Sequence, residues 1–182
     1  MAELLTKKEQ RELLKIARNT IVTSVTSGKL PPVETASEAL NAERGCFVTI
    51  KQQGRLRGCI GNFVSEQPLY CLVQEMAVSA ATRDPRFYPM KPHDLDDFHL
   101  EISVLSPLKK IDTVEEIQVG RHGLYLVKNS YRGVLLPQVA TEYGWDRETF
   151  LKHTCLKAGL PENAWQRECD IFIFSALVFG EA

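Results

Sequence analysis

The stretch CFVTIKQQGRLRGCIG, residues 46–61, reads as a β-hairpin. Cys46, Val48 and Ile50 alternate with Phe47 and Thr49, so the two sets take opposite faces of an extended chain. Gln53 and Gly54 supply the turn, and residues 55–60 return as the second strand.

Upstream, Thr6 and Glu9 have capping-box spacing, and Leu13, Leu14, Ala17, Ile21 and Val25 recur every three or four residues until Gly28, Pro31 and Pro32. This predicts a long amphipathic helix over residues 6–28. Residues 33–43 have no firm period and are expected to run over the surface. Downstream of Pro68, a second helical stripe runs through Leu69, Leu72, Val73, Met76, Ala77 and Ala80. Pro85, Pro89 and Pro92 then make residues 82–92 an irregular but pre-set loop.

Leu100, Ile102 and Val104 form an alternating strand that ends at Pro107, and residues 124–136 turn at Asn129 and Ser130 into a second hairpin. Asp146 is placed to cap a helix ending at Gly159. Residues 171–179 are apolar on both faces, as in a central strand. The sum is an α+β fold, a single compact domain over residues 1–182, or two lobes within it with a cleft between them.

Hydrophobic residues make up 44% and charged residues 25% of the 182, enough to bury a core without metal or disulfide staples. Twenty-two Lys and Arg against 23 Asp and Glu leave no global field for nucleic acid or an anionic membrane. Neither a signal-peptide layout nor a membrane-length apolar run is present, which points to the cytoplasm. The five cysteines form no C-x-x-C pair and the four histidines no H-x-x-x-H, so reduced thiols are expected, with no metal and no cofactor. P-loop, dinucleotide-binding, nucleophile-elbow and zincin signatures are absent as well.

The hexapeptide LRGCIG (56–61) is followed in order by RDPRF-x-P (83–89), EISVLSP (101–107), HGL (122–124), LPQVA (136–140) and KAGL (157–160). This series resembles the AMMECR domain family over a body of residues 45–179. The resemblance implies an α+β fold and a place beside component A of the AmmeMemoRadiSam systems, with a Memo-like protein and a radical S-adenosylmethionine enzyme as partners. It brings no catalytic residue with it, and any radical chemistry would belong to a partner.

Candidate site residues are read from the chain itself. On a regular strand Arg57 and Cys59 share a face, where a guanidinium would favour a thiolate nucleophile. The alternative is a small buried cysteine and a paired arginine. Gly58 and Gly61 would let a ligand approach the backbone closely. Arg83, Asp84 and Arg86 offer two guanidinium forks and a carboxylate for a small anionic ligand, or an internal pair that fixes the loop. His122 is a proton-shuttle candidate or a loop-satisfying histidine, and Glu101 is a third catalytic candidate expected to meet Arg57 or Arg86 across a cleft. Lys157 suits a helix C-terminus.

Three functions compete on these residues. One is an enzyme or substrate-handling component with a cleft lined by Cys59, Arg57 and a loop arginine; the second is a protein-interaction module. The third is a weak nucleic-acid binder, which needs Arg55, Arg57, Arg83, Arg86, Arg121 and Arg132 on one face. Whether Cys59 and Arg86 line one cavity separates the first from the others.

Overall fold

The computed structural model describes residues 4–182, so positions 1–3 of the polar opening stretch lie outside the described residues. Helices and antiparallel sheets make an α+β fold, and the chain divides into two compact units. Among the described residues no helix is long and apolar enough to cross a membrane.

The first unit comprises the chain up to Leu105 together with Leu177–Ala182. Helix α1 (Lys7–Ser27) starts at the expected capping box: the Thr6 hydroxyl accepts the Glu9 amide at 3.3 Å and the Glu9 carboxylate accepts the Thr6 amide at 2.7 Å. Hydrogen bonds from Ser37 and then from Thr6 hold the Glu9 carboxyl below its ordinary range. Residues 33–43 are not wholly irregular. Ser37 caps a short helix α2 (Glu38–Asn41) whose Leu40 is fully buried, one apolar anchor being too little to show a period.

Strands β1 (Cys46–Gln52) and β2 (Arg55–Asn62) form the expected hairpin. Gln53 and Gly54 both adopt left-handed backbone, as a two-residue turn matching strand twist requires. Helix α3 (Leu69–Thr82) follows, then β3 (His99–Leu105). The sheet order is β2-β1-β3-β8, with β8 being Ala176–Gly180. Val48, Ile50 and Ile102 on one sheet face meet Leu13, Ala17 and Ile21 of α1 and Leu72, Val73 and Met76 of α3, and this is the core of the unit. The Val, Leu, Ile and Met side chains among these contribute about 1.5–3 kcal/mol each by burial.

The second unit, residues 106–176, has its own core. Its sheet runs β4 (Lys109–Lys110), β7 (Asp170–Phe174), β5 (Gly123–Lys128) and β6 (Tyr131–Leu135). Helices α4 (Pro137–Glu142) and α5 (Arg147–Lys157) complete it, α5 with the expected Asp146 cap. Phe150 and Leu151 of α5 pack on Leu124, Leu126 and Ile171.

The apolar run 171–179 is two strands rather than one. Ser175, its one polar residue, separates β7 from β8; the Ser175 amide donates to Ser106 Oγ and the Ser106 amide to the Ser175 carbonyl, each at 2.8 Å. Strand β7 is internal, between β4 and β5, whereas β8 is an edge strand whose Val178 is 48% exposed. Unbroken apolarity reports burial of β7 but cannot tell which sheet a residue joins. Amide hydrogen exchange should therefore split within this run, β7 slow and the outward-facing amides of β8 faster; uniform protection across 170–180 would contradict the division.

Candidate functional site

Strand β2 is the other edge of the first unit's sheet, and the loop 83–91 seals its free backbone at Cys59. The Cys59 amide donates to Asp84 Oδ2 at 2.9 Å, and Arg86 Nη2 donates to the Cys59 carbonyl at 3.3 Å. Asp84 in turn accepts the Arg86 amide (3.1 Å), Nε (3.0 Å) and Nη2 (2.7 Å). The Arg86 hydrogen bonds, joined by the amides of Cys59 and Arg86, hold this buried carboxyl well below the usual carboxylate range against the effect of burial. The pair is thus internal and fixes the loop, while the Arg86 side chain stays 54% exposed. Arg83 is not part of it. Its side chain lines a groove of about 540 Å³ with Gln67, Cys71, Gln74 and Glu75.

The expectation that Arg57 and Cys59 share a strand face fails at a bulge. Ile50 pairs with Gly58 but Lys51 with Leu56, so Arg57 is an extra residue and the alternation is broken there. Arg57 is 7% exposed; its Nη2 donates to the Tyr88 carbonyl at 2.9 Å and lies 3.7 Å from Asp94 Oδ2, with the guanidinium 4.4 Å above the Tyr88 ring. Burial pushes the Asp94 carboxyl up, yet the Lys91 amide, His93, the Tyr88 hydroxyl and Arg57 outweigh it and the group lies below its ordinary range.

Cys59 faces the other way, onto the sheet surface that the helices leave. The Thr49 hydroxyl donates to its sulfur at 3.2 Å. Thr49 is the register partner of both Cys59 and Glu101, so Cys59, Thr49 and Glu101 form a row across β2, β1 and β3. With strands about 4.8 Å apart, the Cα atoms of Cys59 and Glu101 stand roughly 10 Å from each other. All three are partly exposed. Glu101 meets neither Arg57 nor Arg86; its partner is Lys51, at 2.9 Å. The guanidinium nearest Cys59 by hydrogen bonding is that of Arg86, through the Cys59 carbonyl.

Both glycines have packing reasons. A Cβ on Gly58 would run into the Ala80 carbonyl of α3, and one on Gly61 into the Phe47 ring. His122 lies in the second unit, where Nδ1 accepts the Gln118 amide at 3.1 Å; burial first, then Arg121, holds its pKa below the ordinary histidine value, so the ring closes its own turn as a neutral base. Lys157 stands in the last turn of α5, as expected. Because Arg57 is buried and Arg86 gives its Nε and Nη2 to Asp84, with Nη1 alone left over, the six arginines do not offer one free basic face.

Two further concavities lie in the first unit. One of about 890 Å³ is lined by Glu9, Glu12, Glu34 and Glu38 among others, and one of about 310 Å³ by Gln52, His93 and Asp94. Neither Cys59 nor Arg86 lines any of these three grooves, so the shared cavity expected of a substrate-handling component is not among them, and the two residues meet through the Arg86 Nη2 bond to the Cys59 carbonyl. Among the described residues no three His, Cys, Asp or Glu side chains gather as a metal ion would need. Reading the sequence missed Thr49, Tyr88 and Asp94. Counting back from the turn, an unbulged hairpin would pair Thr49 with Gly58, so the partner of Cys59 was not visible without the bulge.

The AMMECR1 family model matches residues 14–179. A protein of Methanopyrus kandleri is 44% identical over 191 residues, covering 100% of this chain and 92% of its own length. One of Methanothermobacter thermautotrophicus is 43% identical, covering 97% and 96%. The crystal structure of an uncharacterised protein from Pyrococcus horikoshii superposes with a TM-score of 0.86 at 36% identity, over 98% of this chain and 94% of that one.

Proposed function

The chain belongs to the AMMECR1 family, and from that premise we propose that it is a substrate-handling component that binds a small anionic or carbonyl ligand beside Cys59. It would work in the cytoplasm, with a Memo-like protein and a radical S-adenosylmethionine enzyme supplying the radical chemistry. The observation that carries the reading is the polar row itself: a partly exposed thiol that accepts a hydrogen bond from Thr49, with Glu101 and its Lys51 partner one strand further on. On the other side of the thiol stands Arg86, whose Nη1 has no hydrogen bond among the described residues and is free to orient a ligand oxygen.

Peptide-resolved alkylation of the folded chain with iodoacetamide near neutral pH tests this. Cys59 should react, and Thr49→Val should slow it roughly fivefold, the equivalent of one hydrogen bond of about 1 kcal/mol. Cys46 and Cys155 are internal controls, since burial pushes the first thiol up to about 12 and raises the second as well. A Cys59 that reacts no faster than Cys46 would sink the proposal.

A further inference from the structure

Arg57 carries an unanswered demand. Its Nε and Nη1 are buried and have no hydrogen-bond partner among the described residues, which leaves three of the five guanidinium N–H groups without an acceptor there. Buried donors left unpaired cost free energy of the order of 1–3 kcal/mol, so a structure that keeps them needs a reason. The surroundings restrict what the missing acceptor is. Asp94, itself buried, stands 3.7 Å away and is held in its ionised form by the Lys91 amide at 2.8 Å and the Tyr88 hydroxyl at 3.2 Å. The guanidinium charge is therefore already balanced. A second anion in this space would be an uncompensated buried charge, whereas a neutral oxygen would satisfy the free N–H groups without that penalty.

We propose that Arg57 receives a neutral carbonyl oxygen, that of an amide or ketone, and that the Tyr88 ring covers this site in the present structure. The proposal stands on the guanidinium alone and does not depend on any reactivity of Cys59. Tyr88 is suited to the covering role. Its ring stacks 4.4 Å from the guanidinium and its hydroxyl donates to Asp94 at 3.2 Å, while the residue as a whole is 58% exposed, so the ring swings out toward solvent at the cost of that stacking and that one hydrogen bond. Its backbone carbonyl, bonded to Arg57 Nη2 at 2.9 Å, keeps the arginine in place when the ring moves. Phe87, whose ring lies 5.9 Å from the same guanidinium, leaves an apolar wall for the carbon skeleton of a ligand.

The test is the side-chain Nε–H resonance of Arg57 in a nitrogen-correlated NMR spectrum, assigned by its loss in Arg57→Lys. The wild-type chain is titrated separately with acetamide and with acetate, two probes of one shape that differ in charge. Acetamide should shift the resonance saturably and acetate at equal concentration should leave it in place. Tyr88→Ala, which removes the ring and keeps the backbone carbonyl, should lower the half-saturating acetamide concentration roughly tenfold, as expected when the uncovered state is a minor one of about 10% or less. A resonance unmoved by either probe would mean that the orphan protons serve only ordered water, and the proposal fails. It fails equally if acetate shifts the resonance at the lower concentration, or if Tyr88→Ala leaves the midpoint unchanged.

Discussion

Gly58→Ala should destabilise the first unit by about 3 kcal/mol, at the upper end of what overpacking costs. The added methyl group points at the Ala80 carbonyl, a backbone atom that cannot rotate aside, so α3 must move off β2 along with the core residues Leu72, Val73 and Met76 that it carries. Equilibrium urea unfolding measures the loss. A useful control is Ala80→Gly in the same chain, which should not restore stability because the obstruction is main-chain oxygen and not the Ala80 side chain. A midpoint for Gly58→Ala equal to wild type would show that α3 and β2 leave room for a Cβ at position 58.

Asp84→Ala is expected to cost about 2–4 kcal/mol at neutral pH. The side chain accepts from two backbone amides and twice from Arg86, and its removal strands the Cys59 amide at a sealed strand edge. The loss stays below that of a fully buried ion pair because Arg86 is half exposed and its charge can be solvated. The pH dependence follows from the direction of the shift. A carboxyl whose folded pKa is depressed contributes stability that is fully present above the unfolded value of about 3.9 and disappears as pH falls below it toward the folded value. The gap between wild type and Asp84→Ala should accordingly be constant from neutral pH down to the unfolded pKa and narrow on further acidification. A gap that does not change across that window would assign the stability to packing and not to the ionised carboxylate.

Where the signal was local, the sequence was readable. The capping box at Thr6, the Gln53-Gly54 turn and the apolar stripes of α1 and α3 each lie within a few residues, and each appears where it was expected. Readings that required knowing which strand pairs with which were not available from one chain. Arg57 and Cys59 part company because of a single bulge, a property of the pairing between β1 and β2 and not of the residues between. Glu101 found Lys51 diagonally across β1 and β3, and the Cys59-Thr49-Glu101 row exists only once three strands are in register. The loop pair Asp84 and Arg86 was legible as a pair, but its use in closing a strand edge was not.

The passage at Ser175 has a consequence for biosynthesis. Residues 106–176 form one unit, while Leu177–Ala182 complete the other, which otherwise ends at Leu105. As the chain leaves the ribosome, everything from α1 to β3 has emerged long before the strand that pairs beside β3 and the carboxylate of Glu181 that grips Arg18 at 2.6 Å. Through the whole translation of the second unit, β3 presents an unpaired edge, the kind of surface that recruits chaperones or other nascent chains. Slowed synthesis within 106–176 lengthens that window without changing a single contact in the finished molecule.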